Sequence, residues 1–158
     1  MATELLKTTA QIDILHIPYK GGGAASTDLL AGNVAMMIET ITNAMTLVKT
    51  GKVRAIATTG RQRSEVLPDV PTLSEAGVPG YEATIWVGLM APKGTPKDVV
   101  DRLNQAVSKI ASQADVRQQW AKQGAVPMVM NPAVFDKHIQ DDVAKWAQVI
   151  RAANIKMD

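Results

Sequence analysis

The chain has 158 residues, 46% hydrophobic and 20% charged, which is enough for one globular unit with a buried core. Its formal charge of +2 is spread without a basic block or basic-aromatic interleaving, which argues against nucleic acid as a partner. Cysteine is absent, which excludes disulfides, thiol catalysis and cysteine-ligated metals, and no apolar run reaches the ~18 residues of a membrane span.

The first element reads as the tail of a helix from about Ala2 to Thr9, with no N-cap residue before it. Nor do the opening residues have the basic start or apolar core of a signal peptide, so a chain beginning here is expected to stay in the cytoplasm. Ile12 to Tyr19 is a short β-leaning run stopped by Pro18 and three glycines. A short helix is expected over Ala24 to Ala31, closed by Gly32-Asn33. Val34 to Ile38 reads as a buried strand, Asn43 to Thr50 as a helix ending at Gly51, and Val53 to Thr58 as a third strand. That β-α-β-α-β order with short links predicts an α/β fold with a mainly parallel sheet flanked by helices.

Pro68 and Pro71 fix an extended path through "RQRSEVLPDVP". Thr72 and Glu75 are spaced as a capping box over one turn of helix that Gly77 closes. Glu82 to Ala91 is a long apolar strand. From about Thr95 the pattern turns helical. Thr95 is expected to cap, and Pro96 to open, a helix carrying Val99, Val100, Leu103, Val107 and Ile110. "ADVRQQWAKQG" is a further helix closed by Gly124, and "AVPMVM" a strand. Asn131-Pro132 then starts a long helix with one stripe of Phe135, Ile139, Val143, Trp146 and Ile150.

Chemistry is sparse. A phosphate loop needs a lysine and Ser or Thr after its last glycine, but here Lys20 precedes the glycines and alanines follow. The dinucleotide fingerprint aligns Gly21 and Gly23 and then meets Ser26 in place of the third glycine. What remains is a strand-to-helix turn, "YKGGGAASTDLL". Its amides suit an anion such as a carboxylate, or its glycines serve only a tight turn. Glu39, Thr40, Thr42 and Asn43 lie where a strand end meets a helix start, which is the preferred ligand crevice of open α/β sheets. The plainer reading there is that Thr42 or Asn43 caps its helix. His16 and His138 lack a serine elbow or carboxylate cluster, so no catalytic residue, metal site or cofactor is expected.

Three stretches, "IDILHIPYKGGGAASTDLLAGNVAMMIETI", "GKVRAIATTGRQRSEVLPDVPTLSEAGVPGYEATIWVGLMAPKGTP" and "KWAQVIRAANIKMD", together resemble the tripartite tricarboxylate transporter receptors, the Bug-type periplasmic solute-binding proteins. The resemblance runs from about Ala2 to Asp158. It implies two lobes closing on a small organic acid, a dicarboxylate or an aromatic carboxylate, held by strand-helix loops and waters without catalysis or metal. It also implies a periplasmic parent about twice this length that serves membrane transporter subunits. On that reading residues 1–93 are most of the second lobe, and residues 94–158 are a carboxy-terminal helical segment that packs on the first lobe. Residue by residue, the ligand surface falls on Tyr19, Lys20, Gly21 and Gly22, and on Glu39, Thr40 and Thr42. Apolar stripes left without the first lobe predict self-association of this polypeptide. The alternative is a self-associating α/β interaction protein that binds no small molecule.

Overall fold

The structure, a computed structural model, describes residues 1–155; the last three positions of the closing stretch quoted above lie outside them. Six helices form: α1 (Ala2–Ala10), α2 (Gly22–Leu30), α3 (Ile41–Lys49), α4 (Lys97–Ala111), α5 (Ala114–Ala121) and α6 (Pro132–Ala152). Their ends follow the punctuation of the sequence. Gly32 and Gly51 stand just past α2 and α3 at φ 78° and 69°, and Asn131 accepts from Val134 N–H at 2.9 Å at the start of α6. Two starts differ from expectation. Thr40, not Thr42 or Asn43, caps α3, its Oγ1 accepting from Asn43 N–H at 3.4 Å. At α4 the cap position belongs to Pro96, because the Thr95 hydroxyl turns back to donate to Pro92 O at 2.8 Å.

The mainly parallel sheet does not form within the described residues. The ladder there is a single parallel bridge, Thr58 to Thr72, with Thr58 N–H donating to Pro71 O at 2.8 Å and Leu73 N–H to Thr58 O at 2.9 Å. The expected strands at Ile12 to Tyr19, Val34 to Ile38, Glu82 to Ala91 and residues 125–130 carry neither helix nor ladder. The physical reason is that an apolar alternating run specifies a face to bury and leaves the neighbour open. Its N–H and C=O groups need a second strand about 4.8 Å away. Among the described residues such pairing is confined to Thr58 and Thr59, which bond Pro71, Leu73 and Ala83.

The run 82–91 makes this concrete. Trp86 meets Phe135 of α6 edge-on at 5.5 Å and donates its indole N–H to Asp142 Oδ2 at 2.9 Å. Gly88 lies so close to the Phe135 ring that a Cβ there would stand 2.3 Å from Cζ. Trp86 and Gly88 therefore face α6. Of the odd positions, Ile85, Val87 and Leu89 are 79%, 98% and 77% exposed. Alternation is present, and one of its two faces is bare.

The core is small and lies where the chain's beginning meets its middle and end. Leu6, Tyr81 and Ala83 are buried together, with Ala2, Leu5, Ala10, Leu73, Val78 and Trp146 packed around them. The capping box forms beside it: Thr72 N–H donates to Glu75 Oε2 at 2.8 Å, and Glu75 N–H to Thr72 Oγ1 at 3.1 Å. Elsewhere much of the apolar surface is uncovered, although Ala111 of α4 and Val149 of α6 are buried. Val99, Leu103, Val107 and Ile110 of α4 are all exposed, and Val143 drops out of the α6 stripe at 63% exposure. The accessible surface is 11636 Å². A compact monomer of 16.9 kDa exposes about 7,700 Å², so the excess is about 3,900 Å².

Candidate ligand-binding site

Two turns separated in sequence come together at the start of α2 and α3. Gly21 is the N-cap of α2 at φ 124°, a backbone conformation that glycine adopts without strain. Gly22 follows, and the Glu39 carboxyl group stands over its Cα. A Cβ on Gly22 would lie 2.3 Å from Glu39 Oε2, so a side chain there would displace the carboxyl group. Glu39 Oε1 accepts from Thr40 N–H at 2.7 Å and from Asn43 Nδ2 at 3.3 Å. The hydroxyl of Ser26 in α2 reaches Met37 Sδ at 3.8 Å, a second tie between these elements.

The other expected residues are engaged differently. Tyr19 turns its hydroxyl onto α2, donating to Asp28 Oδ2 at 2.7 Å, while Asn33 Nδ2 donates to Asp28 Oδ1 at 3.1 Å. Lys20 is exposed. Thr42 points away from Glu39 and donates its hydroxyl to Gln123 O at 2.9 Å. Thus Gly21, Gly22, Glu39 and Thr40 form one junction, and Thr42 ties it to the loop after α5. At that loop Gly124 abuts Ile41, where a Cβ would meet Cγ2 at 2.6 Å. Sequence reasoning placed Asn43 beside Glu39 and Thr40, and missed Gln123 as part of this junction. Only Gly124 carried a readable signal, as a helix stop.

Among the described residues, no group of three His, Asp or Glu is placed to hold a metal. Two open hollows lie elsewhere. One, of about 290 Å³, is lined by Arg61, Ser74, Gly80, Tyr81 and Glu82; the other, of about 280 Å³, by Val99, Arg102, Leu103 and Ala106. Both are shallow and neither touches the Gly22–Glu39 junction. The junction is instead an open wall with backbone amides, one exposed cation and one carboxyl group, suited to binding and lacking a nucleophile–base pair.

The Tyr19–Asp28 contact is electrostatically marked. Its hydrogen bond to Asp28, burial and the nearby charge raise the Tyr19 phenol above 10.0, while the bonds from Tyr19 and Asn33 hold the Asp28 carboxyl below 3.8. Glu75 is likewise held below 4.5 by Thr72 N–H and Arg63. The lowered acids contribute stability above their ordinary values and lose it as pH falls through their folded values; the raised phenol contributes below 10.0 and loses it as pH rises beyond. Asp28→Asn is therefore expected to make the alkaline limb of a stability–pH curve shallower by the Tyr19 share and the acid limb shallower by the Asp28 share, leaving the Tyr81 and Glu75 shares. Urea unfolding across pH checks this, and an alkaline limb identical to wild type overturns it.

Comparison with known proteins gives these elements a family. The chain matches the tripartite tricarboxylate transporter family receptor, TctC, over residues 1–155. Protein BugT of Bordetella pertussis is 36% identical over 157 residues, covering 99% of this chain and 48% of BugT. Among solved structures, R. palustris Rpa4515 with adipate is 34% identical with a TM-score of 0.88, covering 98% of this chain and 52% of that one. MatC from Rhodopseudomonas palustris with bound malate is 36% identical at TM-score 0.80, covering 94% and 52%. The chain thus spans about half the length of these proteins. Their family is one of solute-binding receptors and not of enzymes. No helix among the described residues is long and apolar enough to cross a membrane. A match along the whole described chain, with the same backbone course in both ligand-bound structures, makes this chain a member of the tripartite tricarboxylate transporter receptor family.

Proposed function

We propose that this chain is part of a periplasmic receptor that captures a small organic acid, a dicarboxylate or an aromatic carboxylate, for a tripartite tricarboxylate-type transporter. Tyr19, Lys20, Gly21, Gly22, Glu39, Thr40 and Thr42 form one wall of its ligand cleft. The observation that carries this is the close approach of the two turns that open α2 and α3, Gly22 against Glu39, in a chain of this receptor family. Adipate and malate in two structural neighbours support the substrate class.

The bare runs belong to a mainly parallel sheet completed by polypeptide equivalent to the other half of the relatives. Residues 1–93 supply most of one lobe, and residues 94–158 a segment that packs on the other. What supports this is that the chain follows its neighbours' backbone closely while spanning half of them, and exposes about 3,900 Å² more surface than a compact monomer of its mass. With one wall present, affinity for acids is expected to be weak. Backbone amide chemical shifts titrated with adipate, malate and benzoate test the site: shifts confined to Lys20–Gly23 and Glu39–Thr42 support it. Sub-micromolar affinity with shifts elsewhere would show that the site is misplaced.

The uncovered stripes favour a second reading, an interaction protein that self-associates and binds no small molecule. Association without any acid-dependent shift distinguishes it.

A further inference from the structure

We infer that Glu39 selects which acids this wall accepts, favouring one that carries a hydroxyl or amine beside its carboxylates over a plain dicarboxylate of equal length. The inference rests on the receptor reading above and deepens it.

The basis is an inventory of which polar groups at the junction are already engaged. Tyr19 has given its hydroxyl to Asp28, and Thr42 has given its own to Gln123 O. Thr40 Oγ1 already accepts from Asn43 N–H. Both bonds to Glu39 from its neighbours fall on Oε1, and no described residue donates to Oε2, which faces Gly22. What is left for a ligand is the exposed Lys20 ammonium, the backbone amides at the start of α2, the Thr40 hydroxyl proton and one acceptor, Glu39 Oε2. A carboxylate answers the donors and repels the acceptor. A hydroxyl or an ammonium answers the acceptor. A plain dicarboxylate brings acceptors only, and one of them meets the Glu39 carboxyl group at the place where Gly22 leaves no side chain to separate them. An acid with an added donor matches both.

The test is an amide chemical-shift titration of the 158-residue chain with L-malate and with succinate, which differ by the hydroxyl alone. Malate is expected to half-saturate the shifts of Lys20–Gly23 and Glu39–Thr42 at a concentration about five-fold below succinate, the scale of one charge-assisted hydrogen bond at an open site. Glu39→Gln removes the charge at constant shape. Gly22→Ala keeps the charge and pushes the carboxyl group aside, since its Cβ would stand 2.3 Å from Oε2. In both variants, with helix content checked by circular dichroism, the preference is expected to fall to about two-fold or less. Succinate binding as tightly as malate, or an unchanged preference in a folded variant, overturns the inference and leaves the receptor reading standing. No shift at these amides with either acid overturns both.

Discussion

Tyr81→Ala is expected to unfold most of the chain at room temperature. Tyr81 is 2% exposed, and its ring fills the centre of a core in which only Leu6 and Ala83 are buried with it. Truncating a buried aromatic costs about 3–5 kcal/mol, against about 5–15 kcal/mol for the whole of a well-packed domain. A chain with so few buried side chains stands at the low end of that range. The hydroxyl contributes separately, by donating to Ala2 O at 3.0 Å and so tying the first turn of α1 to the middle of the sequence. Tyr81→Phe keeps the ring and loses that bond, at a cost of about 1 kcal/mol. Burial also raises the Tyr81 phenol above 10.0, so this residue too favours the folded chain below that pH and loses its share above it. Urea unfolding followed by circular dichroism measures all three proteins. An alanine variant as stable as wild type would show that the Leu6–Tyr81–Ala83 cluster is not what holds the chain together.

The second large effect is expected on association. Ile85, Val87 and Leu89 form one apolar row that nothing among the described residues covers. Each such side chain, when fully buried, contributes about 1.5–3 kcal/mol. Wild-type protein is expected to scatter light with a mass above 16.9 kDa at micromolar concentration. The triple variant Ile85→Thr, Val87→Thr and Leu89→Thr should associate on the order of a thousand-fold more weakly. Threonine keeps the β-branching of Ile85 and Val87 and suits an extended run at Leu89 while it removes apolar surface, so unchanged circular dichroism separates lost association from lost folding. Wild type that remains monomeric, or a triple variant that associates equally, removes this face as the contact surface.

What the sequence made legible was local. Glycine stops, the Thr72–Glu75 capping box and the Asn131-Pro132 start of α6 each depend on residues within one helical turn, and all are present. Helix starts shifted where two candidates competed: Thr40 displaced Thr42 and Asn43, because its hydroxyl and the Glu39 carboxyl group together serve that turn. Strand pairing was not legible, since the apolar runs encode a face without naming a neighbour. For the site, the two turns could be picked out as strand ends, and their contact at Gly22 and Glu39 is long-range information that spacing does not carry. The Tyr19–Asp28 bond is different. The two residues are nine apart across a glycine turn, and nothing in the run between them announces the bond. Gln123 enters through its backbone carbonyl, and a backbone contact leaves no trace in residue type.

α6 touches the chain at two separate heights. Phe135 bears on Gly88 and Trp86, while Trp146 bears on the cluster around Tyr81. Those contacts lie about 16 Å apart along a continuous 21-residue helix. Mechanically α6 is a strut, stiff between its footings, with Asp142 pinning the indole between them. The run from Tyr81 to Gly88 is therefore held at both ends by one rigid member. It cannot swing against α1 without either bending that helix or lifting a footing. Any load applied to the bare row at Val87 is delivered to the Tyr81 core, so a polypeptide laid over that row would also brace the Leu6–Tyr81–Ala83 cluster.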